Sequence, residues 1–192
     1  MHLKPFLPQL QRTFIKSLSD PTSNIVRSRA ANALGILITL QTRVDPLVAE
    51  LVSGIRTSEA NIKETMMNAL QNVVSKTGAD LSETSKRSVI SVIADGLSDN
   101  ADAGMMACAA RLLGSLAKAL ALEDTRATVQ DHVLSESAPL YGSLMAINAL
   151  LADTPTLLED LGIVDQVVDR VIEASENEKV INDYKVHVTR LT

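Results

Sequence analysis

The chain has 192 residues and a net charge of −5, and it is 46% apolar with no Trp, two Phe and two Tyr. A core that is large but aliphatic suits close helix-on-helix packing better than a sheet, which favours β-branched and aromatic side chains. The same composition excludes an intrachain disulfide, since Cys108 is the single cysteine, and it excludes a membrane span, which needs a run of ~18 apolar residues. The charge is uneven: residues 1–96 carry 11 Lys/Arg against 8 Asp/Glu, and residues 97–192 carry 7 against 15. One end is thus suited to an acidic partner, the alternative being an unevenly solvated surface.

In chain order, LPQLQRTFIKSL sets Leu7, Leu10, Phe14 and Leu18 on one helical face, and an acidic turn follows at Asp20-Pro21. The next segment places Val26, Ala30, Ala33, Leu34, Leu37 and Ile38 on one face of a 3.6-residue period. DPLVAELVSGI then aligns Leu47, Val48, Leu51, Val52 and Ile55, with Asp45-Pro46 read as an N-cap and a first-turn proline. At an offset of 36 the six-position pattern returns as Ile62, Met66, Ala69, Leu70, Val73 and Val74. SETSKRSVISVIADGL opens with Ser82 as a cap and turns Lys86 and Arg87 outward. At an offset of 79 the pattern returns as Met105, Ala109, Leu112, Leu113, Leu116 and Ala117. EDTRATVQDHVL precedes a fourth copy, Gly142, Ala146, Ala149 and Leu150, which fails at Asp153 and Thr154 before Pro155 and is expected to be a short helix. VDQVVDRVIEA precedes a fifth, with Val180, Tyr184, His187, Val188 and Leu191.

The copies are spaced by 36, 43, 37 and 38 residues. A repeat of that length reads as a stack of helical hairpins. The expectation is an all-α solenoid without a sheet, of about five hairpins and ten helices, at roughly 3–40, 45–77, 82–120, 123–152 and 156–192. Ala30, Ala31, Ala33 and Gly35 read as the small residues of a close helix crossing. The whole is expected to be one array segment cut from a longer solenoid, with Met1 a start placed on that segment.

Asp20, Val26-Arg27, Ala30, Ala33 and Leu34-Gly35 resemble the HEAT-repeat signature, which specifies a fold and is silent on function. LKPFLPQLQRTFIKSLSDP, VRSRAANALGIL and RVDPLVAELVSGIR resemble the C-terminal HEAT region of the general-control translational activator family. The likeness is close over residues 2–78, looser to about residue 120, and one of pattern beyond. It implies a cytoplasmic, non-catalytic scaffold that docks the small N-terminal domain, of RWD type, of the general-control kinase of initiation factor 2. Ribosome contacts would lie in other parts of the full-length protein, and activation would follow amino-acid starvation. Open alternatives are a segment contacting the ribosome or its RNA, and a HEAT adaptor of another family, in nuclear transport or a phosphatase scaffold.

Arg56 stands six residues before Ile62, where other copies have Asp20, Asp99 and Glu136. One reading is an outward arginine that pairs with an acidic or carbonyl-bearing patch of a partner. The other is a charge ladder with Arg56 between Asp20 and Asp99. Arg27 is expected to bridge to turn acids of a neighbouring copy. Arg29, one position off the buried face, and Arg43, in the QTRVDP loop, are candidate rim contacts against a solvated-surface alternative. Glu59 and Glu64 would complete a mixed-charge edge. The partner-binding set is therefore Arg56, Arg29, Arg43, Arg27 and Glu59.

No catalytic, metal or cofactor site is expected. His2, His132 and His187 stand at no ligand spacing. Cys108 lies in an Ala-rich stretch suited to packing, and Ser143 in GSLMA lacks the second glycine of a nucleophile elbow. No membrane, small-molecule substrate or directly bound nucleic acid is implied, since the acidic remainder and the scarcity of rings oppose phosphate and base contacts.

Overall fold

Buried aliphatic positions at helical spacing form helices throughout the computed structural model, which describes residues 4–98 and 103–182. These are α1 (Leu7–Leu18), α2 (Asn24–Leu37), α3 (Asp45–Thr57), α4 (Ala60–Thr77), α5 (Glu83–Ser98), α6 (Ala103–Ala117), α7 (Leu122–His132), α8 (Leu140–Asp153), the single-turn α9 (Leu157–Asp160) and α10 (Val164–Glu176). No strand occurs among the described residues. The chain divides into two compact units, residues 1–92 and 93–192.

In the first unit α1 packs on α2, α3 packs on α4, and α2 packs on α4. Leu18, Leu34, Ile38, Leu47, Leu51, Met67 and Leu70 are its largest fully buried side chains, each worth about 1.5–3 kcal/mol of apolar burial. The periodic positions of α4 point inward as expected, Ile62 being half-buried and the other five buried. In α2 the first of them, Val26, stays 41% exposed in the first turn of the helix. At Gly35 a Cβ would come within 2.9 Å of the Asn72 Cβ, so glycine sets the closeness of α2 to α4.

Asp45 departs from its expected role. Val44 is the N-cap of α3, while Asp45 and Pro46 form the first turn and no side-chain cap bond is made. The Asp45 carboxylate instead accepts from the Ser82 N–H at 3.1 Å and the Ser82 hydroxyl at 3.0 Å. Ser82 does cap α5, its oxygen accepting from the Ser85 N–H at 3.3 Å. One serine thus ties the start of α3 to the start of α5.

In the second unit α8 packs against α6, α9 and α10. The six periodic positions of α6 are all buried. Gly114 repeats the part of Gly35: a Cβ there would come within 2.9 Å of the Ala149 carbonyl oxygen. The helix after Pro139 is not short, since α8 has 14 residues, as α2 does. Asp153 breaks the apolar pattern but ion-pairs with Lys118 at 2.6 Å, which gives the carboxylate a partner across the α6–α8 contact. Arg170 of α10, 7% exposed, donates to the carbonyls of Ser135 and Ala138 and to Glu173. It thereby fastens the α7–α8 turn to α10.

Candidate functional site

The hairpin turns gather most of the polar residues singled out above. Between α1 and α2, Oδ1 of Asp20 accepts from the Thr22 N–H and hydroxyl at 2.8 Å each and from the Ser23 N–H at 2.9 Å. These bonds, the Thr22 hydroxyl first, hold the Asp20 carboxyl below its ordinary value, and the charge of Arg27 adds to them. Ser23 caps α2 through the Val26 N–H at 3.3 Å. Arg27 is buried and its Nη1 donates to the Asp20 carbonyl at 2.7 Å. It therefore closes its own turn rather than reaching to a neighbouring copy, because the first turn of α2 aims it back along the incoming chain.

Arg56 and Glu59 flank the next turn. Arg56 is exposed in the last turn of α3, where a cation complements the helix C-terminus. Its Nη2 donates to the Ser91 hydroxyl of α5 at 3.1 Å. Glu59 is exposed at the N-cap of α4; its carbonyl accepts from the Ile62 and Lys63 N–H groups at 3.0 and 2.9 Å. Backbone thus fixes this turn, and the Glu59 carboxylate makes no cap bond. The Asp99 end of the ladder lies outside the described residues.

The other two arginines stand elsewhere. Arg43 is exposed in the loop before α3, about 20 Å from Arg56 along that 13-residue helix. It shares an open groove of about 530 Å³ with Arg12, Gln11, Gln41 and Leu40, where the Gln41 amide donates to Gln11 at 3.0 Å. Arg12 is missed by periodicity, since it joins Arg43 only through the fold. Arg29 is exposed on α2, in line with Ile25 and Ile36, which are 66% and 68% exposed. The structure therefore brings Arg56 and Glu59 to one turn, withdraws Arg27 into the core and sets Arg43 at the opposite end of α3.

Among the described residues no group of His, Cys, Asp and Glu is arranged to hold a metal ion. Cys108 is buried and accepts from the Arg111 guanidinium at 3.2 Å, and Ser143 donates to the Val133 carbonyl at 2.6 Å. His2 and His187 lie outside the described residues. No described helix is long and apolar enough to cross a membrane.

A family model described as stalled ribosome sensor GCN1-like HEAT repeats matches residues 45–181. The chain belongs to this family. Its paired helices are accordingly HEAT-type hairpins of the α-solenoid class. The eIF-2-alpha kinase activator GCN1 of Saccharomyces cerevisiae is 39% identical over 186 residues, covering 94% of this chain and 7% of the activator. The stalled ribosome sensor GCN1 of Homo sapiens is 38% identical over 135 residues, covering 70% of this chain and 5% of the sensor. The protein ILITYHIA of Arabidopsis thaliana is 31% identical over 183 residues, covering 93% of this chain and 7% of that protein. The chain thus spans a small part of the length of these relatives. No solved structure matches it.

Proposed function

We propose that this segment is a non-catalytic docking platform that holds the N-terminal RWD-type domain of an eIF-2-alpha kinase, so that the kinase is kept at a ribosome bound by the rest of the protein, in the cytoplasm. The family and the names of its yeast and human relatives, a kinase activator and a stalled ribosome sensor, support the coarse reading. The observation that carries the finer one is the α3–α4 turn, where Arg56 and Glu59 are exposed three residues apart on a turn already held by backbone bonds. A guanidinium anchored on a rigid turn loses little freedom on binding and presents a flat fork to carboxylates or carbonyls.

Tethering supplies the mechanism. Two sites joined through one scaffold meet at effective concentrations of about millimolar, which raises occupancy without new chemistry. The test is a pull-down of the kinase's N-terminal domain by this chain across a salt series. Direct one-to-one capture with a shallow salt slope is expected. A requirement for RNA, with the steep slope of phosphate contacts, would replace this reading with a ribosomal RNA contact.

A further inference from the structure

The offsets that align the apolar faces also align a polar position. Asn32 of α2 recurs as Asn68 in α4, Arg111 in α6 and Asn148 in α8, at offsets of 36, 79 and 116. In the first unit this position borders a cleft of about 270 Å³ between α2 and α4, lined by Ser28, Asn32, Thr65, Asn68, Gln71 and Asn72. Apart from Ala31, every residue lining the cleft carries an amide or a hydroxyl, and none is charged.

The Asn72 amide nitrogen donates to the Asn32 oxygen at 3.1 Å. That bond uses one donor and one acceptor of the pair. It leaves the Asn32 nitrogen and the Asn72 oxygen to a ligand, a donor and an acceptor side by side. Gly35 makes the pairing feasible, because any Cβ there would press on the Asn72 Cβ.

A donor beside an acceptor complements the C=O and N–H of a peptide group. An extended chain turns the N–H and C=O of every second residue to the same side, so one residue of such a segment offers the pair that Asn32 and Asn72 complement. The cleft is smaller and more polar than the roughly 300–1,000 Å³, mostly apolar pockets that take small molecules. Without charges it selects no acidic or basic side chain.

We propose that the α2–α4 cleft binds an extended, unfolded segment of a partner protein through its main chain. This inference goes beyond kinase docking and does not depend on Arg56. The probe is a twelve-residue peptide of alternating Thr and Ser, beside the same peptide with alternate backbone nitrogens methylated. The readout is the side-chain amide resonances of Asn32, Asn68 and Asn72 in heteronuclear NMR of the whole chain. Saturable shifts with a dissociation constant of about 1 mM are expected for the plain peptide, none for the methylated one, and no change on Arg56→Ala. Asn32→Ser, at an exposed position, should melt as the wild type and bind about fivefold more weakly, and Asn68→Ser gives a second comparison. The proposal is overturned by absent shifts, by equal shifts with the methylated peptide, or by undiminished binding in both variants.

Discussion

Asp20 and Asp45 carry the pH dependence that the structure implies. Hydrogen bonds lower both carboxyls below the ordinary 3.8, from the Thr22 hydroxyl first at Asp20 and from the Ser85 hydroxyl first, then Ser82, at Asp45. A carboxyl that is more acidic when folded stabilises the fold above its unfolded value and loses that contribution as pH falls through the folded value. Melting curves from pH 7 down to pH 2 should therefore show Asp45→Asn less stable than the wild type at neutrality. The gap should close below about pH 4, whereas a gap independent of pH would contradict the assignment. Arg170 gives a second test at this scale. Arg170→Ala strands the carbonyls of Ser135 and Ala138 and should cost about 1–3 kcal/mol in urea unfolding, and Arg170→Lys should not restore it, because an ammonium lacks the fork. Neither result was legible in the sequence. The partner of Asp45 lies 37 residues downstream, and Arg170 looks like any surface arginine until the α7–α8 turn is folded around it, whereas Arg27 read as a turn bridge but to a neighbouring copy and not to its own Asp20 carbonyl.

At the scale of the helices, glycine decides how closely neighbours approach. Gly114 faces a backbone oxygen of α8 and Gly54 faces the Met66 sulfur, so alanine should behave differently at the two sites. Gly→Ala gains about 1 kcal/mol of helix propensity. At Gly54 a mobile thioether can yield, and the net change should lie within about 0.5 kcal/mol. At Gly114 the carbonyl cannot yield, and Gly114→Ala should destabilise by about 1–2 kcal/mol net after overpacking. Chemical unfolding midpoints check the pair, and equal effects would refute the packing argument. Helix positions were the most legible feature, because the positions the period selects are all buried in α6 and, apart from the half-buried Ile62, in α4. The length of α8 was not legible, since the apolar template stopped at Asp153 without knowledge that Lys118 would pair with it.

For the molecule as a whole, the repeat was readable because stacking imposes one spacing on every copy, but a docking surface imposes none. Exposed arginines recur for reasons of solubility alone. Reading the residues placed Arg43 before α3 and Glu59 near Arg56, but only folding showed that Arg56 donates to Ser91 of α5 and that Arg12 joins Arg43. The central claim is that the α3–α4 turn holds a kinase domain, and calorimetric titration of that domain into the wild-type chain, Arg56→Ala and Arg43→Ala tests it most directly. The account predicts a one-to-one complex weakened about thirtyfold by Arg56→Ala, an interface hot spot of about 2 kcal/mol, with the melting temperature unchanged and Arg43→Ala binding as the wild type. Undiminished binding by a folded Arg56→Ala chain would contradict it.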